Sequence, residues 1–118
     1  MIDIERLQEE IVERLKPLEP ENIILFGSYA YGEPDEESDI DLFLVKDGVS
    51  HEVLRKYRLS LQKALFGLQK KYLIGVDLFV DSSHHIKYRV DQIKDQFYEE
   101  ILKMEKSYMS NNSTLNIK

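Results

Sequence analysis

The chain has no cysteine among its 118 residues. That removes a disulfide framework and a thiolate zinc site together, so small secreted scaffolds and thiol catalysis are excluded and a reducing cytoplasm is the expected compartment. A dense basic tract is also missing, and the net charge is −6. Such a chain is poorly suited to follow a nucleic-acid backbone, where phosphate neutralisation dominates affinity, so direct binding to duplexes is not expected. Residues 1–20 carry five glutamates and no uninterrupted apolar stretch, which argues against a signal peptide and a membrane span. No internal repeat or linker interrupts the pattern. The length fits one domain over residues 1–109, and residues 110–118 have so little to bury that a flexible tail is expected.

The charge that is present is uneven. Residues 1–50 hold 14 acidic and 4 basic side chains, and the remainder hold 8 and 12, giving −10 and +4. Clustered acid suits cations, and through them a nucleoside triphosphate, or else a basic protein surface. Nothing in the pattern fixes the oligomeric state, and association of copies stays open.

Ile4, Leu7, Ile11, Val12 and Leu15 recur at steps of three and four, which predicts an amphipathic helix over residues 3–16 with Asp3 as its cap; Pro17 and Pro20 end it. Residues 22–26 read as a short buried strand, followed by a tight turn into a brief helix at Gly27-Ser28-Tyr29-Ala30-Tyr31-Gly32. An acidic loop, Glu33 to Ser38, leads into a second strand over residues 39–45, and its simplest role is a solvated connection. Ser50 can cap a long helix to about residue 72, lined by Val53, Leu54, Tyr57, Leu61, Ala64, Leu65 and Leu68, with Gly67 as its weak point. Residues 74–80 predict a third strand. From Ser82 or Ser83 onward, Ile86, Val90, Ile93, Phe97, Ile101, Met104 and Tyr108 predict one further helix whose apolar seam packs on the core. Strands alternating with helices give an α/β class, a small sheet flanked by helices, whose strand order the pattern does not reveal.

Within this frame Asp39 and Asp41 interrupt an apolar run at a spacing of two, so on a strand both project from one face while Ile40, Leu42 and Leu44 point the other way. Clustered carboxylates in a half-buried sheet need a compensating charge, and divalent cations match hard oxygens best. Asp77, within Gly75-Val76-Asp77-Leu78-Phe79-Val80, supplies a third carboxylate; its rival role is the buried half of an ion pair with Lys70, Lys71 or Arg58. Gly27-Ser28, between a strand and a helix start, lets backbone N–H groups and a hydroxyl approach a phosphate. Three carboxylates and a phosphate-binding turn suit a two-metal displacement, in which one Mg²⁺ activates the attacking hydroxyl and the other stabilises the leaving oxygens. The adjacent histidines His84 and His85 diverge on a helix and lack partners for a zinc set, so they read as polar residues at a helix start, and Tyr98 and Tyr108 read as packing residues.

Gly27-Ser28, ten intervening residues, Asp39-Ile40-Asp41 and the later Asp77 resemble the DNA polymerase β nucleotidyltransferase superfamily, and specifically its minimal nucleotidyltransferases, over about residues 22–80. The resemblance implies the nucleotidyltransferase fold, a small mixed sheet flanked by helices. It implies that Gly27 and Ser28 hold the triphosphate, that Asp39, Asp41 and Asp77 bind two Mg²⁺ ions and act catalytically, and that a nucleoside monophosphate passes from ATP or another NTP to a hydroxyl with release of pyrophosphate. Minimal members resemble antitoxins paired with HEPN-type toxins, some of which are adenylylated on a tyrosine, so a HEPN-type toxin is the implied partner and acceptor. An alternative reading, prompted by Tyr31 and the acidic loop, is a non-catalytic module that neutralises a toxin by stoichiometric contact.

Overall fold

The structure is a computed structural model that describes residues 3–30, 34–35 and 37–106. Tyr31, Glu33, Glu36, Tyr108 and the tail lie outside the described residues, and with them part of the acidic loop and the end of the expected seam. The chain runs as α1 (Ile4–Leu15), a short 3-10 turn (Lys16–Leu18), β1 (Asn22–Phe26), β2 (Ile40–Val45), α2 (His51–Tyr72), β3 (Val76–Asp81), α3 (Ser83–Tyr88), a π turn (Arg89–Ile93) and α4 (Gln96–Lys106).

Local chemistry sets the two helix starts where the sequence placed them. The Asp3 carboxylate accepts from Arg6 N–H, and Ser50 Oγ accepts from Val53 N–H, so each cap satisfies one of the amides that the first turn leaves orphaned. Gly67 lies within α2, where a Cβ would stand 2.8 Å from Nη1 at the far end of the flexible Arg14 side chain, which can move aside.

The sheet has order β1-β2-β3, with β1 antiparallel to β2 and β2 parallel to β3. The parallel pair needs a crossover, and α2 provides it. Alternation along the central strand divides two cores. Ile40, Leu42 and Leu44 meet Leu7, Ile11 and Leu15 of α1 and Leu61, Leu65 and Leu68 of α2. On the opposite face Phe43 and Val45 meet Ile86, Ile101 and Met104. Each fully buried Leu, Ile or Phe contributes about 1.5–3 kcal/mol of hydrophobic stabilisation, so the first, larger core dominates and fixes the register on which the aspartates depend. Val53 departs from its expected role and is exposed. Among the described residues no helix is long and apolar enough to cross a membrane.

The expected single helix from Ser83 onward is broken. After the π turn, Lys94 adopts a left-handed φ of 62° and its N–H closes on Arg89 O. Asp95 then starts α4 by accepting from Phe97 N–H at 3.0 Å and Tyr98 N–H at 3.3 Å, while Arg89 Nη2 donates to its other oxygen at 2.5 Å. The seam fails at the break, where Ile93 and Phe97 are partly exposed, and resumes at Ile101 and Met104. The third strand is also displaced, to residues 76–81, which adds Asp81 to the ladder opposite Val45.

Candidate active site

Gly27 stands at the end of β1 with φ of 74°, a left-handed conformation that glycine adopts without a side-chain penalty, and its carbonyl accepts from Ala30 N–H at 3.0 Å. The turn exposes Ser28 and carries the chain away from the sheet. Phe26 is the register partner of Asp41, so the turn begins one residue beyond the aspartate. A Cβ on Gly27 would overlap Asp41 Oδ2. The carboxylate therefore lies against bare backbone, and the glycine is required both for its conformation and for the space it leaves.

On the other side, Asp41 faces Asp77 directly across the parallel pair. The two carboxylates are therefore neighbours on one face of the sheet. Burial, then the Asp77 charge and hydrogen bond, then the Asp39 charge push the Asp41 carboxyl up to about 6. Asp39 lies just before β2, exposed, with its carboxylate resting on Gly75; a Cβ there would be 2.5 Å from Asp39 Oδ1. Ile40 N–H to Gly75 O at 2.9 Å holds these two backbones together.

All five residues singled out in the sequence thus meet at one end of the sheet, contributed by the end of β1 and the starts of β2 and β3. Their arrangement differs from the expected pocket in one respect. Asp77 is exposed, because β3 is an edge strand. It has no ion pair with the three cations considered for it: Lys71 pairs with Glu10, Arg58 donates to Leu78 O, and Lys70 lies over the Phe66 ring. Among the described residues no three carboxylates or imidazoles converge closely enough to grip one metal ion by themselves. The donor set nonetheless fits Mg²⁺, which is usually held by one or two carboxylates with substrate phosphates completing the shell.

A family model described as a nucleotidyltransferase domain matches residues 4–110. The chain belongs to that family. The small mixed sheet flanked by helices is consistent with the nucleotidyltransferase fold. A solved structure described as a toxin-antitoxin with AMP-PNP is similar over 84% of this chain and 86% of that one, at 23% identity and a TM-score of 0.45. No curated protein compared with the chain matches it.

For this nucleotidyltransferase domain, Gly27→Ala is expected to lower stability by about 1–2 kcal/mol through the left-handed backbone alone, and to displace the Asp41 side chain further. Urea denaturation measures the first effect, and unchanged stability would mean that the turn relaxes freely.

The sequence reading missed a second polar cluster on the same sheet face. Asp81, buried at 6% exposure, accepts from Tyr98 Oη at 2.8 Å and lies 2.5 Å from His85 Nδ1. His85 is therefore no simple helix-start residue. The available signal was an aspartate four positions before a histidine, across a strand-to-helix junction capped by Ser82.

Proposed function

We propose that the chain is a Mg²⁺-dependent nucleotidyltransferase that moves a nucleoside monophosphate, AMP from ATP, to a hydroxyl, and that the acceptor is a tyrosine of a HEPN-type toxin for which it is the antitoxin. The observation that carries the catalytic part is the in-register pair Asp41 and Asp77 beside the Gly27 turn, with Asp39 one residue before the strand. Family membership supports the reaction class. The partner and the tyrosine rest on the resemblance of the motifs to minimal nucleotidyltransferases.

In this reading Gly27 and Ser28 receive the triphosphate, with the turn's backbone N–H groups and the Ser28 hydroxyl as donors. Asp39, Asp41 and Asp77 would hold Mg²⁺, which would neutralise phosphate charge and favour the ionised nucleophile. In this reading Asp77, the exposed member of the pair, takes the proton of the attacking hydroxyl. The acceptor oxygen forms its bond to the α-phosphorus, the bond from that phosphorus to the bridging oxygen breaks, and pyrophosphate departs.

The test incubates the protein with α-labelled NTPs, Mg²⁺ and the product of the neighbouring gene as candidate acceptor. Label on a toxin tyrosine with ATP is expected, and no label with any of the four NTPs would overturn the enzymatic reading. A second reading, prompted by Tyr31 and the acidic loop of the sequence, is that the chain silences a toxin by contact alone. An Asp39→Asn, Asp41→Asn double variant that still silences the toxin at equal expression would support it, and loss of silencing would sink it.

A further inference from the structure

An aromatic shelf adjoins the carboxylate pair. Register places Phe26, Asp41 and Asp77 side by side in one row across the sheet, and Ile24, Phe43 and Phe79 in the next row on the same face. Phe79 is thus two residues along β3 from Asp77, about 7 Å away. Phe97, the second residue of α4, meets this face with its ring centroid 5.5 Å from Phe26, 6.1 Å from Phe43 and 5.3 Å from Phe79. Asp95 fixes where that ring enters, by accepting from Phe97 N–H at 3.0 Å. Phe26 and Phe79 approach each other to 5.8 Å across the intervening strand, so the rings span the sheet from β1 to β3 alongside Asp41.

Phenylalanines that touch several other rings are ordinarily core, and Phe43, at 1% exposure, is. Phe79 and Phe97 are not: they stay 43% and 37% exposed. Rings held by one another yet open to solvent make a preassembled apolar surface beside a charged site, and such a surface marks a binding region. The reaction proposed above, on which this inference rests, sets the direction of the ligand. Pyrophosphate leaves toward Gly27 and Ser28 at the end of β1, and the acceptor oxygen arrives beside Asp77 on β3, so the in-line axis through the α-phosphorus runs across the sheet. The nucleoside is an equatorial substituent of that phosphorus and leaves the axis sideways. The shelf flanks the axis over the same span.

We propose that Phe26, Phe79 and Phe97 form the nucleobase subsite, with the base stacked against the exposed Phe79 and Phe97 rings. Stacking uses the π-face that every base has, and phenylalanine offers no donor or acceptor to a base edge. These rings therefore favour the larger purines over pyrimidines and separate adenine from guanine little.

The test measures, by calorimetry and with no acceptor present, the binding of the Mg²⁺ complexes of AMP-PNP, CTP and inorganic tripolyphosphate. Phe97→Leu keeps an apolar side chain but removes the π-face. It is expected to weaken AMP-PNP at least about tenfold and to leave tripolyphosphate unchanged, whereas Phe97→Tyr retains the parent's affinity. Phe79→Leu, on the strand and away from the Asp95 cap, is expected to act in the same direction, so the outcome does not hang on the folding of α4 in one variant. CTP is expected to bind the parent more weakly than AMP-PNP. Unchanged AMP-PNP affinity in both leucine variants, an equal loss for tripolyphosphate, CTP bound as tightly as AMP-PNP, or no AMP-PNP binding by the parent would each overturn the proposal. Leucine variants that raise only the KM for the acceptor would also overturn it, by assigning the rings to the acceptor instead. Binding needs no acceptor, so failure of label transfer leaves the subsite standing, and transfer by Phe97→Leu at the parent's KM for ATP would remove the subsite and keep the reaction.

Discussion

Asp41→Asn is expected to reduce nucleotide transfer by about a thousandfold or more while making the metal-free protein more stable. Both effects come from one cause. The Asp41 carboxyl is pushed from an ordinary 3.8 up to about 6 by burial and by Asp77. A group that holds its proton more tightly when folded contributes stability that is complete below its ordinary value and is lost as pH rises through its folded value. Between these limits, and most fully above the upper one, the ionised carboxylate therefore opposes folding. Asparagine removes that charge and offers an amide N–H to the neighbouring Asp77 carboxylate. At about pH 7.5 in EDTA the variant is expected to melt about 3–6 °C above the parent, on the order of 1 kcal/mol after allowance for solvent screening of a partly exposed group. The gap should narrow towards about pH 5, where the parent regains its proton. Thermal scans at both pH values check the sign. A variant that melts lower than the parent at the higher pH would show that Asp41 is not strained by its neighbours.

The largest loss of stability is expected at the other end of the same strand pair. Asp81→Ala leaves the His85 ring and the Tyr98 hydroxyl without the buried carboxylate that both engage. The expected cost is about 3 kcal/mol, or a melting temperature lowered by about 10 °C. Burial first, and then the hydrogen bond and charge of Asp81, raise the Tyr98 hydroxyl above its ordinary value. The same substitution should therefore lower the pH at which Tyr98 ionises, which ultraviolet titration reads directly. Asp81→Asn keeps an acceptor for Tyr98 and is expected to be milder. An alanine variant as stable as the parent would mean that packing of Ile86, Ile101 and Met104 alone docks α3 and α4.

Most of the backbone was legible because local chemistry marks it. Asp3 and Ser50 cap helices, Pro17 closes the first one, and the alternation of Ile40, Leu42 and Leu44 with Asp41 and Phe43 assigns the two sheet faces. The break before α4 was not legible from its left-handed residue, since Lys94 is neither glycine nor asparagine, the residues that usually mark such a position. Asp95, which caps α4, did carry a signal, but the regular seam from Ile86 to Met104 masked it. The five residues of the candidate site were identifiable from type and spacing. Their mutual placement was not, because it follows from strand order: only when β3 runs parallel to β2 in this register does Asp77 stand opposite Asp41. The exposure of Asp77 likewise depends on β3 being an edge.

Gly27 beneath Asp41 and Gly75 beneath Asp39 give the two carboxylates the same kind of support. Each rests on main chain where any other residue would place a methyl group in its path. The aspartates have a rigid rear wall, and a cation or phosphate must come from the side that the glycines do not occupy. Positions 27 and 41, and positions 75 and 39, consequently behave as matched pairs in which the size tolerated at one is set by the other. In a pairwise mutational scan, shortening Asp39 should rescue the fold of a variant that fills Gly75, whereas shortening Asp41 should relieve only the steric part of filling Gly27 and leave the cost of its left-handed backbone.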